Sequence, residues 1–398
     1  MRLSHRADGF LPRSSRDGGL PVLVAVLLLS AAGQSVFAVE EPLEGDWVRF
    51  ALTGRAYAVA EWGASSVLEA DNFWEVSKYD PGKAFDGDPA SAWVEGAAGP
   101  GIGETIVAAF VEYPEALGFI NGFARSQSLF ERNHRVKRLE LQVYLGVHAD
   151  GFATESVTYY DALPLGQAQT LNLADSRQAQ RVPLPLDPAT ATEAMTAFRN
   201  SEAVRDLAFP QAGMMGIKPD MGVPLRFRYI LRLEIAEVYR GTTWEDTCIA
   251  EIWPDWGAIA RVETADNMRR LVLHTPDGRR IPGYADFESV LTVLAVSDDA
   301  EWAIVIKEPA YPGPGRMSGE YAVIHTPTGR DMTAALFSAV AEGEPPDATP
   351  FNTTPFDTTP FNIIPFDIVR EGGRLFVVYD DLAAGETATV PVPPLYEH

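Results

Sequence analysis

Two acidic residues stand two positions apart in a tight turn, Asp86-Gly87-Asp88. Such a turn can present carboxylate and carbonyl oxygens to a hard cation, and calcium takes oxygen ligands of this kind in proteins. The same residues can instead form an Asx turn, in which an aspartate side chain bonds to the nearby backbone and no metal is involved. The sequence leaves both interpretations open.

Residues suited to binding a sugar follow this turn. Trp93 has an apolar face on which a sugar ring could stack, although large aromatic residues at strand starts more often pack in a core. Further along, Asn121, Arg125, Asn133 and Arg135 have side chains that can hydrogen-bond to sugar hydroxyls. Asn121-Gly122 is also primarily a hairpin signal, because this dipeptide favours a tight turn between two strands.

A late loop and a basic cluster add to these candidates. In Trp244-Glu245-Asp246 the two carboxylates could accept sugar hydroxyl protons, or they could brace the turn before Cys248. The basic cluster could attract an acidic glycan, or it could be a solvated surface that balances nearby carboxylates. Its members are Arg125, Arg132, Asn133, His134, Arg135, Lys137 and Arg138.

Motifs for catalysis and nucleotide binding are missing from the sequence. It contains no G-x-S-x-G elbow, no H-E-x-x-H and no paired His and Cys arrangement. The glycines at 99, 101 and 103 lack the G-x-G-x-x-G spacing and precede a strand-like run instead of a helix. The formal charge of −23 works against binding nucleic acid. We therefore expect no nucleic-acid partner and no catalytic residues, with residues 255–398 the less certain part.

Alternating hydrophobicity indicates the elements that position these residues. Leu139, Leu141, Val143 and Leu145 alternate with polar neighbours, and residues 228–235 repeat the pattern. Half-buried strands of this kind predict an all-β antiparallel sandwich and argue against a parallel α/β sheet. The composition of residues 190–208 suits a short helix inside a long connection.

Several of these segments together resemble the NADase-type glycan-binding domain, a relative of the discoidin and coagulation factor 5/8 type C modules. They are Ala84–Gly96, Gly99–Glu104, Ile120–Ser126, Asn133–Leu139 and Val238–Ile252. The resemblance covers about residues 60–254 and implies a discoidin-like jelly-roll sandwich whose end loops bind sugar without catalysis. In discoidin relatives the acidic turn often holds a structural calcium together with a glutamate near the last strand, so the resemblance implies Asp86, Asp88 and Glu251 as metal ligands.

A smaller β-rich domain is predicted after the sandwich. Residues 271–279 (LVLHTPDGR) return fifty-one positions later as residues 322–330 (AVIHTPTGR), each a strand that runs into a Pro-Xaa-Gly turn. This favours an internal duplication, although similar strand-turn chemistry could arise by coincidence. Residues 349–368 repeat Pro-Phe-Asn/Asp with period five, and a proline every fifth residue should prevent a continuous ladder. This repeat indicates a low-complexity loop or an exposed aromatic recognition tract.

The first residues predict export. Four arginines precede an apolar core centred on residues 22–29, and Ala38 ends a small-residue exit, as in a cleaved secretory signal peptide. The single cysteine, Cys248, is far from that point, so no lipoprotein attachment is expected. The predicted organisation is a signal peptide (1–38), a discoidin-like domain (45–254, with a helical or loop insertion at about 150–225) and a β-rich domain (255–398). The protein should be secreted or periplasmic, without a membrane span after cleavage.

The leading hypothesis is a secreted, non-catalytic carbohydrate-binding protein. One alternative makes the first domain the targeting module of a hydrolase that acts on a glycan or nucleotide-sugar, and another makes it an envelope structural or protein-interaction module. Calcium is the one cofactor considered, and carbohydrate is the expected partner. The predicted glycan-binding residues are Trp93, Glu95, Asn121, Arg125, Asn133, Arg135, Trp244 and Asp246.

Overall fold

A computed structural model shows a chain built mainly of β-strands. It describes residues 40–42, 45–53, 61–70, 77–149, 157–205, 224–265, 268–286, 289–310, 320–327, 329–333, 336–337, 363–371, 374–381 and 386–392. Residues 35–398 belong to one compact unit. The predicted signal peptide and most of the Pro-Phe repeat lie outside the described residues.

Seven strands form the first layer of a sandwich, in the order β1-β2-β8-β7-β10-β5-β3. All its pairings are antiparallel, and two of its three long strands, β7 and β10, are paired along almost their whole length. The strands are β1 (Glu40–Pro42), β2 (Val48–Leu52), β3 (Glu61–Ala64), β5 (Thr105–Phe110), β7 (His134–Ala149), β8 (Thr158–Asn172) and β10 (Leu225–Tyr239).

Four strands form the second layer. β11 pairs with β6 and β4, and β9 extends the layer from β6. The two layers join where the start of β11 pairs in parallel with the start of β7, at Thr247 opposite His134. These strands are β4 (Trp93–Val94), β6 (Ala116–Asn121), β9 (Gln180–Pro183) and β11 (Thr247–Asp255).

The apolar sides of the two layers pack against each other. Leu139 and Leu141 of β7 share one core cluster with Phe119 of β6 and Ile252 of β11. Each such side chain contributes about 2 kcal/mol when it leaves water. The alternation that predicted these strands therefore marks the side facing the second layer, and the discoidin-like sandwich is confirmed as the fold class.

The segment predicted as an insertion has two structural roles. Strand β8 lies between β2 and β7 and pairs with both, so this part belongs to the sheet. Helix α2 (Pro188–Arg199) is the predicted helical part, and Asp187 caps it by accepting a hydrogen bond from Thr190 N. A second helix, α1 (Gln127–Arg132), connects β6 to β7.

Three small antiparallel sheets follow the sandwich. Their strand orders are β12-β13-β14, β15-β16-β17-β18 and β19-β20-β21. The strands are β12 (Arg261–Ala265), β13 (Arg270–His274), β14 (Arg280–Ala285), β15 (Ser289–Val296), β16 (Trp302–Pro309), β17 (Glu320–His325), β18 (Arg330–Asp331), β19 (Ile363–Glu371), β20 (Arg374–Asp381) and β21 (Glu386–Pro391).

The effect of proline on the ladder can be followed at one copy of the Pro-Phe repeat. This last copy lies in β19, whose pairing passes the proline with an irregularity. Pro365 pairs opposite Tyr379 at the edge of its sheet, and the register shifts between Pro365 and Asp367. An edge strand with a bulge tolerates the missing N–H donor, and for this reason the ladder continues. The first copies, at 349–362, lie outside the described residues.

The two similar segments both form a strand followed by a turn. One strand is β13, with Gly278 at φ +90°, and the other is β17, with Gly329 at φ +65°. They lie in sheets of different strand order, so the internal duplication stays a prediction. Among the described residues no helix has the length and apolar character needed to cross a membrane.

Candidate functional site

The predicted sugar-binding residues lie at the end of the sandwich where its two layers join. At this end β6 terminates at Asn121, β7 and β11 begin, and Tyr239 at the end of β10 pairs with Arg135. We call residues 93–104, 121–136, 172–176 and 239–248 the junction end. Trp93, the short helix α1 and the loop around Trp244 all belong to it.

Asn121 is fully buried and serves the backbone. Its Nδ2 donates to Val136 O at 2.7 Å and to Ala174 O at 3.2 Å, and its Oδ1 accepts from Gly122 N at 2.9 Å and Val136 N at 3.0 Å. The hairpin predicted at Asn121-Gly122 is wrong, because β6 leads into α1. Gly122 has φ +68°, and a side chain there would overlap Arg135 and Phe130.

Arg135 is buried and forms an ion pair with Asp175. Its Nε and Nη2 donate to the two carboxylate oxygens of Asp175 at 2.9 and 2.7 Å, and its Nη1 donates to Asn133 O and Arg240 O. The guanidinium also lies 5.0 Å from the centre of the Phe130 ring. A bidentate contact with a carboxylate neutralises the charge of an arginine and holds its orientation. Arg135 therefore ties the ends of β7 and β10 to the loop at Asp175.

Trp93 and Asn133 are also buried. The Trp93 indole is in the main core cluster, and its Nε1 donates to Ser66 O at 3.0 Å. Asn133 donates from Nδ2 to Leu129 O at 2.9 Å and so closes the end of α1. Of the two roles weighed for Trp93, core packing is the one observed.

Glu95 links two loops of the junction end. Its carboxylate accepts from Thr247 N at 3.0 Å and Ala97 N at 2.8 Å, and it is fully buried. A side chain at Gly101, where φ is +65°, would overlap this carboxylate. Burial raises the pKa of Glu95 to about 7, against the opposite effect of the two N–H donors. Glu95 thus changes charge near neutral pH.

An outer group of residues at the junction end reaches solvent. The Arg132 guanidinium lies 3.7 Å from the centre of the Trp244 ring, which is half-buried. Asp246, two residues after Trp244, is half-buried, and burial raises the pKa of its carboxyl group. Arg125 is exposed. Ile102, on the glycine loop, is 52% exposed.

Backbone hydrogen bonds hold the Trp244 loop in place. Thr243 N and Trp244 N both donate to Arg132 O, at 3.1 and 2.9 Å. His134 Nδ1 lies 2.9 Å from Trp244 O and 3.1 Å from Gly241 N. The loop is therefore fastened to the end of α1 and the start of β7, and the stacked pair of Arg132 and Trp244 rests on this frame.

The predicted metal ligands come together, but in a different arrangement. Asp86 accepts from Asp88 N at 3.0 Å and Asp88 accepts from Ala90 N at 2.9 Å, so the turn is a pair of Asx turns. Glu251 is buried next to Asp86, and its pKa is raised well above the ordinary value by burial and by that neighbouring charge. Arg330 packs on Gly87.

The carboxylates of the acidic turn are bonded to neighbouring protein groups. Asp86 is also bonded to Ser91 Oγ and ion-paired with Lys83 Nζ at 3.2 Å. Within the described ranges no group of three or more His, Cys, Asp or Glu is placed to hold a metal ion. Calcium binding by Asp86, Asp88 and Glu251 stays a prediction.

Sequence reasoning missed two partners of the site. Asp175, which neutralises Arg135, is 40 residues away in a loop that no motif marks. Arg132 was part of the basic cluster but was not selected as a binding residue, although it is the one that stacks on Trp244. Its place in the last turn of α1, three residues before Arg135, was the available signal.

Comparison with known proteins identifies one family. Residues 55–254 match the family described as the NAD glycohydrolase translocation F5/8 type C domain. No curated protein sequence matches the chain.

Two solved structures show a remote likeness. Both are cryo-EM structures of the arabinofuranosyltransferase AftD from Mycobacteria, in two classes of one mutant, at 13% identity and TM-scores of 0.27 and 0.26. The alignments cover 63% and 69% of this chain but only 14% and 15% of the transferase. At such low scores the likeness carries no argument about fold or function.

Proposed function

The chain belongs to the family of NAD glycohydrolase translocation F5/8 type C domains, and on this premise we propose that it is an exported, non-catalytic module that binds carbohydrate at the junction end. The family description names a translocation module and no catalytic one, which supports a binding role. Carbohydrate as the ligand, and export as the destination, are the further steps of the proposal.

The observation that carries the proposal is the stacked pair of Arg132 and Trp244. A half-buried indole at the end of a sandwich combines an apolar ring with a polar N–H, and sugars need both kinds of contact. The guanidinium, 3.7 Å from the ring centre, adds hydrogen-bond donors for hydroxyl or carboxylate groups. Asp246, two residues further along the same loop, adds acceptor oxygens.

The internal residues support this surface from below. Arg135, Asn121 and Glu95 fasten the ends of five strands and two loops by bonds to backbone and to Asp175. A rigid frame lowers the entropy that is lost when a ligand orders the loops that bind it. The proposal therefore gives direct contact to Arg125, Arg132, Trp244 and Asp246, and support to the buried candidates.

The arginines at the junction end suit an acidic or neutral glycan, although the whole chain is acidic. The chain as a whole carries a formal charge of −23, so its field repels anions at long range. Arg125 precedes α1 and Arg132 is its last residue. Arg125 is exposed and Arg132 is half-buried. An acidic glycan would therefore be bound through short-range contacts, with a modest dependence on salt.

A glycan array with the full chain tests the proposal. We expect binding to a defined glycan, and we expect Trp244→Ala and Arg125→Ala each to weaken it at least about tenfold. The matched controls are Trp47→Ala, a half-buried tryptophan outside the junction end, and Arg374→Ala, an exposed arginine of β20. Circular dichroism would verify that each variant is folded.

Two results would contradict the proposal. One is a folded chain that binds no glycan across a diverse array. The other is binding that survives both junction-end substitutions and falls with the controls. If the chain instead captured a protein partner without competition from free sugars, the interaction-module alternative would replace it.

A further inference from the structure

The two segments that share the sequence Thr-Pro-Xaa-Gly-Arg have no part in the proposed carbohydrate site. We call them the first turn (Thr275–Arg279) and the second turn (Thr326–Arg330). In each, the glycine N–H donates to the threonine carbonyl oxygen, at 3.0 Å for Gly278 and at 3.3 Å for Gly329. The glycine φ values are positive in both. The two turns therefore share one backbone hydrogen bond and a glycine of positive φ immediately before their final arginines.

The arginine of the first turn contacts the sandwich. Arg279 Nη2 lies 3.0 Å from Glu115 Oε1 and donates to Trp256 O at 3.3 Å, and its side chain is only 15% exposed. Glu115 lies between β5 and β6, and its carboxylate packs on Gly257, where a side chain would overlap it. An arginine this well covered is held by its partners and is not a surface charge.

The arginine of the second turn also contacts the sandwich, at the acidic turn. Its guanidinium lies against Gly87, so closely that any side chain at that position would overlap it. Its charge acts on Asp88 and on Glu251. Glu251 Oε1 and Arg330 Nη1 are both buried without a hydrogen bond in the described structure. A positive group thus lies where the family resemblance places a calcium ion.

Trp256 connects the two contacts. Its backbone carbonyl accepts from Arg279 of the first turn, and its Nε1 donates to Pro327 O of the second turn at 3.0 Å. The residue is 2% exposed. Both turns are therefore bound to one buried tryptophan just after β11, with an arginine of each placed on an acidic group of the sandwich.

We infer that the two turns are paired docking elements that hold the sheets of β13 and β17 on the sandwich, and that Arg330 supplies the positive charge of the acidic turn. This explains why the same five-residue pattern occurs twice, since each copy offers a backbone carbonyl or a guanidinium to the same tryptophan. It also explains how Asp86, Asp88 and Glu251 lie together without three ligands arranged around a metal.

Hydrogen–deuterium exchange of the full chain tests the inference. In the variant with both Arg279→Gln and Arg330→Gln, we expect exchange of both turns and of residues 84–91 to rise at least about tenfold, with the centre of β7 unchanged. The matched control is Arg280→Gln, which alters the neighbouring arginine, whose side chain is 64% exposed. Equal exchange in the double variant and the control would overturn the inference.

Two further measurements keep the inference testable if the double variant does not fold. In a double-mutant cycle of Arg279→Gln with Glu115→Gln, the Glu115 substitution should cost less in the Arg279→Gln background than in the unmodified chain, and equal costs in the two backgrounds would contradict a direct pair. Calcium added to the unmodified chain should leave exchange of residues 84–91 unchanged. Protection of those residues by calcium would refute the role of Arg330.

Discussion

Arg132 and Arg135 are three residues apart, yet they belong to two different environments of the junction end. Arg135 is in the ladder of β7, 8% exposed, and its guanidinium donates hydrogen bonds to Asp175 and to the backbone. Arg132 ends α1, before the ladder begins, and its guanidinium lies on the Trp244 ring. The partner that the fold brings to each arginine thus decides whether it supports the end of the sandwich or is available to a ligand.

Substitutions among the buried residues around Arg135 should lower stability, and the largest expected loss is at Asn121. Asn121→Ala removes two donor and two acceptor contacts from buried backbone groups. We expect the free energy of unfolding to fall by about 4 kcal/mol, because each unsatisfied buried group costs roughly 1 kcal/mol or more. Chemical denaturation followed by tryptophan fluorescence would measure it.

Asn172→Ala is the matched control, because Asn172 is exposed at the end of β8. It should change the free energy of unfolding by less than about 0.5 kcal/mol. A loss below about 1 kcal/mol for Asn121→Ala would show that its hydrogen bonds are replaceable. Asn121 would then move to the group of residues available to a ligand.

Local patterns predicted the parts of the fold that depend on local rules. The alternation in β7 and β10 and the composition of α2 were sufficient, because burial of one side and helix propensity are visible in a short window. Strand β8 was missed, since its residues 163–170 are largely exposed and show little apolar alternation. The strand pairing of Pro365 was not predicted, because edge position and bulges depend on the finished sheet.

The site was harder to predict than the fold. Residue types identified the junction end, but they could not separate Arg135 from Arg132, because the distinction depends on Asp175, which is distant in sequence. In the same way, the acidic turn suggested a metal, while its positive neighbour Arg330 comes from the other half of the chain. Contacts between distant segments decide which polar residues are satisfied, and no short motif encodes them.

Glu95 is a second buried residue of the junction end, and its effect on stability should depend on pH. The expected change in the free energy of unfolding lies between those for Asn121 and Arg132. Its pKa is about 7 in the folded chain and near 4.5 when unfolded. A raised pKa stabilises the fold fully below the unfolded value, and that contribution is lost as pH rises through the folded value. We expect the free energy of unfolding to fall by about 2 kcal/mol between pH 5 and pH 8 from this group. Denaturation at several pH values would measure the slope.

Glu95→Gln should remove this slope while lowering stability at every pH, because its amide nitrogen cannot accept the backbone N–H that one carboxylate oxygen accepts. Glu237→Gln is the control. Glu237 is ion-paired with Lys137 at 2.5 Å and its pKa is lowered, so it stays charged between pH 5 and pH 8. An unchanged slope in Glu95→Gln would show that another group titrates there.

The smallest change in stability is expected for the solvent-facing pair of Arg132 and Trp244. Arg132→Ala removes the guanidinium from the Trp244 ring, and we expect the free energy of unfolding to fall by only about 0.5–1 kcal/mol, the value of a partly exposed cation–π contact. Trp244 emission should shift to longer wavelength, since the ring loses its cover. Arg177→Ala, an exposed arginine near α1, should change neither quantity. A loss above about 2 kcal/mol would place Arg132 with the supporting residues and remove the distinction from Arg135.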